Sequence, residues 1–165
     1  MIIETVKQTQ HGYLVNSSMF IPNEPSNKDY QAVQKWIAEG GIVEPEFTDQ
    51  ELLDNAKTAK KTENKNAREV FQYTSIEVDE KTYKATKDAK LLFFSKVNGN
   101  PTYPINWRLA NDITFVSLTE AETTDIYNAF EAQETAAYTQ ESTYLQQIED
   151  ALTVAEVEAI NIIYS

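Results

Sequence analysis

The chain has 165 residues, 41% of them hydrophobic and 11% aromatic, enough for a compact domain with a real core and too rich in apolar side chains for a disordered segment. It contains no cysteine, which excludes disulfides and thiolate metal sites. Its formal net charge of -12 argues against nucleic acid or an anionic membrane surface as the main partner.

No apolar run approaches the ~18 residues that a membrane span needs. The opening Met1-Ile2-Ile3-Glu4-Thr5-Val6-Lys7 lacks the cationic start and long apolar stretch of a secretory signal. A soluble protein of the cytoplasm, or of an assembly built there, is expected. The charge is uneven. From Lys57 to Lys96 there are ten Lys/Arg against six Asp/Glu, whereas after Arg108 there are eleven Asp/Glu and no basic residue. This acidic stretch reads either as a solvated face or as one that pairs with neighbouring copies or a basic partner.

In chain order, Ile2, Ile3 and Val6, a turn at His11-Gly12, then Tyr13, Leu14 and Val15 predict two short strands. Ile21-Pro22-Asn23-Glu24-Pro25 is expected to be extended, because each proline disfavours helical geometry before it. Ser26 is placed to cap a helix that carries Tyr30, Val33 and Ile37 on one face with Trp36 beside it, and Gly40-Gly41 ends that helix. Val43 to Glu46 reads as a linker. Thr48-Asp49-Gln50-Glu51 is a capping box, with Phe47 and Leu52 placed as a hydrophobic staple. The helix it opens is apolar at Leu52, Leu53 and Ala56 and then almost wholly polar through Asn66, which predicts an exposed spacer or a tether.

From Glu69 the pattern turns to β, with Val70, Phe71, Tyr73 and Ile76, a turn at Asp79-Glu80, then Thr82-Tyr83. Thr86 caps a helix carrying Ala89, Leu92, Phe93 and Val97 that stops at Asn98-Gly99. Ile105, Trp107 and Leu109 form a strand, Ala110-Asn111-Asp112 turns, and Ile113 to Leu118 returns antiparallel. Thr119 to Glu122 is a second capping box. It opens a helical stripe through Ile126, Phe130, Ala137, Tyr144, Ile148 and Leu152 that fits one helix of ~30 residues or two joined at Tyr138-Thr139. A third box at Thr153 to Glu156, with Leu152 and Val157 as its staple, opens a short helix running to Ile163. The fold class is therefore α+β: an N-terminal strand pair with a short helix (1–45), a polar linker helix (46–65), and a C-terminal domain of short antiparallel strands packed on helices with a helical end (66–165).

No catalytic constellation is legible. His11 is the one histidine and sits in a turn with no serine elbow near it. Zinc has no His/Cys cluster to bind, no acidic loop has the pattern of a calcium hand, and Gly12, Gly40, Gly41 and Gly99 cannot build a phosphate loop. The Lys57–Lys65 run has no interleaved aromatics to stack bases. No catalytic residue, cofactor or metal is expected. Nine tyrosines and two tryptophans leave two uses for exposed rings, a sugar platform or protein-contact anchors.

Ile21-Pro22-Asn23-Glu24-Pro25-Ser26-Asn27-Lys28-Asp29-Tyr30, followed by Trp36-Ile37-Ala38-Glu39-Gly40-Gly41, resembles a segment of small bacteriophage tail-fibre-associated and tail-fibre-assembly proteins. Residues 66 to 165 resemble an uncharacterised domain of phage tail gene clusters. The matching features are Ala67-Arg68, Ile105-Asn106-Trp107, Asn111 to Phe115, Leu118 to Glu122 and Thr153 to Asn161. The Lys/Asn-rich stretch between them departs from the shorter, Ala/Pro-rich linker of such proteins. The resemblance implies a non-enzymatic accessory, adaptor or assembly chaperone that binds tail or tail-fibre subunits, with copy number following tail symmetry. It would work in the host cytoplasm during assembly and in the virion tail, with Pro22, Pro25, Tyr30 and Trp36 as partner-binding residues. A glycan-binding module at the tail tip is the alternative, and a polysaccharide-degrading enzyme a third reading that this small chain suits less well.

Overall fold

The computed structural model describes residues 2–165 and is α+β, with short strands and five helices along those residues. The chain divides into two compact units, one up to Asp54 and the other from Asn55 on.

In the first unit, β1 (Val6–Thr9), β2 (Gly12–Val15) and β3 (Met19–Pro22) form an antiparallel meander, and β4 (Val43–Glu44) adds parallel to β1 after helix α1 (Lys28–Ala38). The sheet order is β3-β2-β1-β4. Sequence reading predicted the first two strands and missed the others. Met19-Phe20-Ile21-Pro22 does not alternate, because β3 is an edge strand whose Met19 and Phe20 face solvent while Ile21 is buried. The turn into it needs positive φ at Asn16 and Ser17. Asn16 tolerates that conformation, and its side chain accepts the N–H groups of Glu4 and Thr5 at 2.9 and 3.1 Å. Gly12 is required where β2 and β3 approach, since a Cβ there would lie 2.0 Å from the Ile21 carbonyl oxygen. Val43-Glu44, expected as linker, pairs with Val6 and Lys7 and completes a core of Val6, Val15, Ile21 and Val33. The helix cap is Asn27 rather than Ser26: its Oδ1 accepts from Asp29 N at 2.8 Å and Tyr30 N at 3.3 Å.

Helix α2 (Asp49–Tyr73) runs from one unit into the other. Thr48 and Glu51 form the expected capping box, while Phe47 and Leu52 stay exposed. Residues 49–65 of the expected polar linker helix (46–65) are helical and form the first part of this 25-residue helix, and those from Asn55 on belong to the second unit. Val70, Phe71 and Tyr73, expected in a strand, are helical too; β structure starts only at β5 (Ser75–Val78). β5 pairs with β6 (Lys81–Lys84) through a tight turn with Asp79 and Glu80 at positive φ, the geometry that matches the twist of a two-residue hairpin. Helix α3 (Lys87–Asn98) is capped by Thr86 as expected. β7 (Ile105–Arg108) and β8 (Phe115–Leu118) form the second hairpin.

Helix α4 (Glu120–Asp150) is a single helix of 31 residues, so the long stripe does not break at Tyr138-Thr139. Both later capping boxes form, at Thr119/Glu122 and Thr153/Glu156. The last helix, α5 (Val154–Glu158), ends before Ile160 rather than reaching Ile163, and Leu152 is 79% exposed instead of stapling against Val157. The core of this unit gathers Ile76, Tyr83, Phe93, Leu118, Ile126 and Phe130, with the Phe93 ring 4.1 Å from Trp107 and 5.4 Å from Phe130. Full burial of a side chain such as Phe93 contributes roughly 2–3 kcal/mol.

Candidate functional site

The four residues proposed from the N-terminal motif have different fates. Tyr30 and Trp36 are half-buried and pack on the Val6/Val15/Ile21/Val33 core, with the Tyr30 ring 6.0 Å from Tyr13. The Trp36 indole lies against Gly41 so closely that a Cβ there would be 2.3 Å from its ring. Both rings therefore build the first unit and keep only part of their surface for contact. Pro22 closes β3 half-buried, whereas Pro25 is exposed, its carbonyl accepting from Gln31 Nε2 at 2.9 Å. The structure joins Tyr30 and Trp36 to one core cluster and leaves Pro25 outside it.

The polar part of α2 is helical, with one face covered and the others exposed. Asn64, Arg68 and Gln72 recur every fourth position, which puts them on one helix face, and all three are buried. That face lies on α4. Asn64 Nδ2 donates to the Glu141 carbonyl at 3.1 Å, Arg68 Nε to Glu141 Oε1 at 3.0 Å, and Gln72 Nε2 to Glu134 Oε1 at 2.9 Å. Burial opposes the Arg68 charge, but the Glu141 hydrogen bond and charge hold its pKa above the ordinary guanidinium value. Lys57 and Lys61 extend the seam, to the Glu149 carbonyl at 2.8 Å and the Glu149 carboxylate at 2.5 Å. From α3, Lys90 sits between Glu131 and Glu134. Part of the acidic stretch after Arg108 is thus matched inside the unit by the basic residues before it. The sequence signal was present, a basic helix and an acidic helix in one chain, but it does not say whether the pairing lies within a copy or between copies.

The surface feature that sequence reading missed is on α3. Leu91-Leu92-Phe93-Phe94 is a run of four apolar residues on a helix, and a helix apolar on every side has to be covered on every side to be water-free. Only Phe93 is covered. Leu91, Leu92 and Phe94 are 64%, 51% and 47% exposed. Leu91 and Phe94 line a groove of about 290 Å³ with Tyr73 and Tyr127, bordered by Lys87 and Glu131. On the other side, Leu92, Trp107 and Phe115 line a groove of about 400 Å³ beside Asp88, Asn106 and Arg108. Exposed apolar side chains with a charged border have the composition of a protein contact surface.

The Thr48 and Thr119 hydroxyls that donate to the Glu51 and Glu122 carboxylates belong to helix caps. His11 is exposed at the β1–β2 turn, and the Lys90 ammonium is occupied by two carboxylates. Among the described residues, no group of three or more His, Cys, Asp or Glu is placed to hold a metal ion, and no helix is long and apolar enough to cross a membrane.

Residues 55–163 match a domain family described as Domain of unknown function (DUF4376), and the chain belongs to that family. The match begins at Asn55, where the second compact unit begins. No curated protein and no solved structure matches the chain.

Proposed function

We propose that this is a non-enzymatic, tail-associated protein of a bacteriophage that binds tail or tail-fibre subunits. The observation that carries the binding role is the uncovered apolar side of α3, where Leu91, Leu92 and Phe94 stand exposed beside charged Lys87 and Glu131. The phage context is supported by the order and joint presence of the two motif blocks, Ile21 to Gly41 and Ala67 to Asn161. Tail fibres assemble slowly through long-range β pairing and expose strand edges meanwhile, so an acidic helper presenting an apolar helix face suits both a chaperone of assembly and a docked adaptor. It would act in the host cytoplasm and, as an adaptor, remain in the tail in a ratio set by tail symmetry.

Quantitative mass spectrometry of purified virions tests this. A fixed ratio to fibre or tube subunits makes the protein a tail component. Absence from virions, with a higher yield of soluble fibre on co-expression, makes it an assembly factor, and absence without that effect ends the proposal. A second reading, a glycan-binding module at the tail tip, is favoured by the groove that sets Trp107 and Phe115 beside Asp88, Asn106 and Arg108. Titration with host oligosaccharide, followed by Trp107 fluorescence, distinguishes it.

A further inference from the structure

After α5 the chain runs without regular structure through residues 159–165 over the second unit. Side chains of the helices grip its backbone. The Gln140 amide closes a two-way pair with Ser165, donating to its carbonyl at 2.9 Å and accepting from its N–H at 3.2 Å. The Tyr144 hydroxyl does the same for Ile163, donating to the carbonyl at 2.8 Å and accepting from the N–H at 3.0 Å. Lys60 Nζ reaches the Ile160 carbonyl at 3.2 Å. Contacts to residues 163 and 165 have the two-residue period of an extended chain. They read main chain only: Ile163 is 61% exposed and Ser165 points no side chain into the core.

One side chain is read as well. The Tyr164 ring lies 5.8 Å from Phe71 and 5.7 Å from Tyr144, and its hydroxyl donates to Asn64 Oδ1 at 2.6 Å. Asn64 is fully buried and fixed from the other side by the Glu141 carbonyl. Past Tyr164 the groove continues as an open space of about 530 Å³ lined by Ala67, Val70, Phe71, Thr74 and Gln133, which the strap leaves unfilled. Main-chain hydrogen bonds at alternate residues plus one aromatic pocket is the arrangement by which a groove recognises an extended peptide.

We propose that the α2–α4 groove is a site for an extended, tyrosine-bearing segment, held in cis by residues 160–165 and open to the same segment of a second copy. No residue beyond Val157 is buried, so the strap leaves without opening the core. A reciprocal exchange between two copies remakes every one of its contacts. The cis strap competes at an effective concentration on the order of millimolar, so exchange shows at high protein concentration or once the strap is weakened.

The test titrates a fluorescein-labelled synthetic peptide of the sequence Glu158 to Ser165 with the full chain, with full-chain Tyr164→Ala, and with Tyr164→Ala/Tyr144→Phe. The apparent Kd should tighten at least about tenfold in Tyr164→Ala, where the competing strap is loosened, and binding should be lost when Tyr144→Phe is added. Sedimentation of the unaltered chain should show a dimer that grows with concentration and that Tyr164→Ala lacks. Peptide binding no tighter in a folded Tyr164→Ala than in the parent, or indifferent to Tyr144→Phe, overturns the groove. A parent chain monomeric up to about millimolar concentration overturns the second copy as occupant. If Tyr164→Ala fails to fold, Tyr164→Phe, which loses only the bond to Asn64, carries the same comparison with a severalfold tightening expected.

Discussion

Arg68 on α2 and Glu141 on α4 meet across 73 positions of sequence, with Nε and Oε1 3.0 Å apart and the two side chains only 9% and 19% exposed. A pair this well buried loses much solvation, so its presence says more about which helices pair than about net stability. Removing one partner leaves the other uncompensated. Arg68→Ala should therefore lower the unfolding free energy by about 3 kcal/mol, while Arg68→Met/Glu141→Leu recovers most of that loss. Urea denaturation of the three chains checks it; a double variant as unstable as the single one would contradict this account.

Trp36 and Gly41 make a second, steric prediction. Gly41→Ala places a methyl group 2.3 Å from the indole, so the ring must move out. The expected cost is about 1–3 kcal/mol, with a red shift of the Trp36 emission. Measured in a Trp107→Phe background, an unshifted spectrum would show that the indole does not rest on Gly41.

Burial, then the nearby Glu141 charge, pushes the Tyr164 hydroxyl up to about 12. Its folded value lies above the ordinary ~10 of tyrosine, so the neutral phenol is favoured in the native state and its contribution is complete below pH ~10. Between those two values the unfolded chain loses the proton more readily, and stability falls as pH rises. Tyrosinate absorbance of the parent minus that of Tyr164→Phe should show one group titrating near pH 12. A difference curve centred near pH 10 would place Tyr164 in open solvent.

Several carboxylates shift the other way. The Lys61 hydrogen bond lowers Glu149, the Lys90 hydrogen bond lowers Glu131, and backbone N–H groups at helix starts lower Glu122 and Glu156. With folded values below the unfolded ones, their contribution is present above the ordinary carboxylate range and fades as pH falls through the depressed values. Urea midpoints should therefore drop steadily below pH ~4.5, because the unfolded state then binds more protons. A midpoint constant from pH 5 to 3 would mean that these contacts do not hold in solution.

On α3, the paired change Leu91→Ser/Phe94→Ser should weaken binding to the proposed tail or fibre partner at least about tenfold, since apolar anchors at the centre of an interface contribute most of its energy. Both side chains are largely exposed, so the thermal midpoint should stay within a few degrees. Unchanged capture of fibre by the variant would move the contact surface elsewhere.

Elements that announce themselves by local chemistry were legible in the sequence: the Thr119 and Thr153 capping boxes, the Asp79-Glu80 turn and the Thr86 cap each use side chains within a few residues. Elements defined by distant partners were not. β4 is two residues whose pairing comes from β1, and no periodicity exists in Val43-Glu44 to reveal it. Asn64 fell in the stretch expected as an exposed spacer or tether, because a hydrophobic scale cannot tell a buried hydrogen-bonded face from a wet one. Tyr30 and Trp36 were found as notable rings, but whether a ring faces the core or a partner depends on strands that come earlier in the chain. The apolar run Leu91 to Phe94 was visible in principle, since four apolar residues in succession exceed what one helix face can bury.

The polar character of the α2 seam has a consequence for synthesis. Arg68 emerges from the ribosome 73 residues before Glu141, a wait of about 4–15 s at typical elongation rates of ~5–20 residues per second. An apolar helix face left alone that long would invite chaperones or other nascent chains. A face of Asn64, Arg68 and Gln72 is at ease in water until α4 arrives, so this helix pairing can wait without leaving a sticky face on that side of α2.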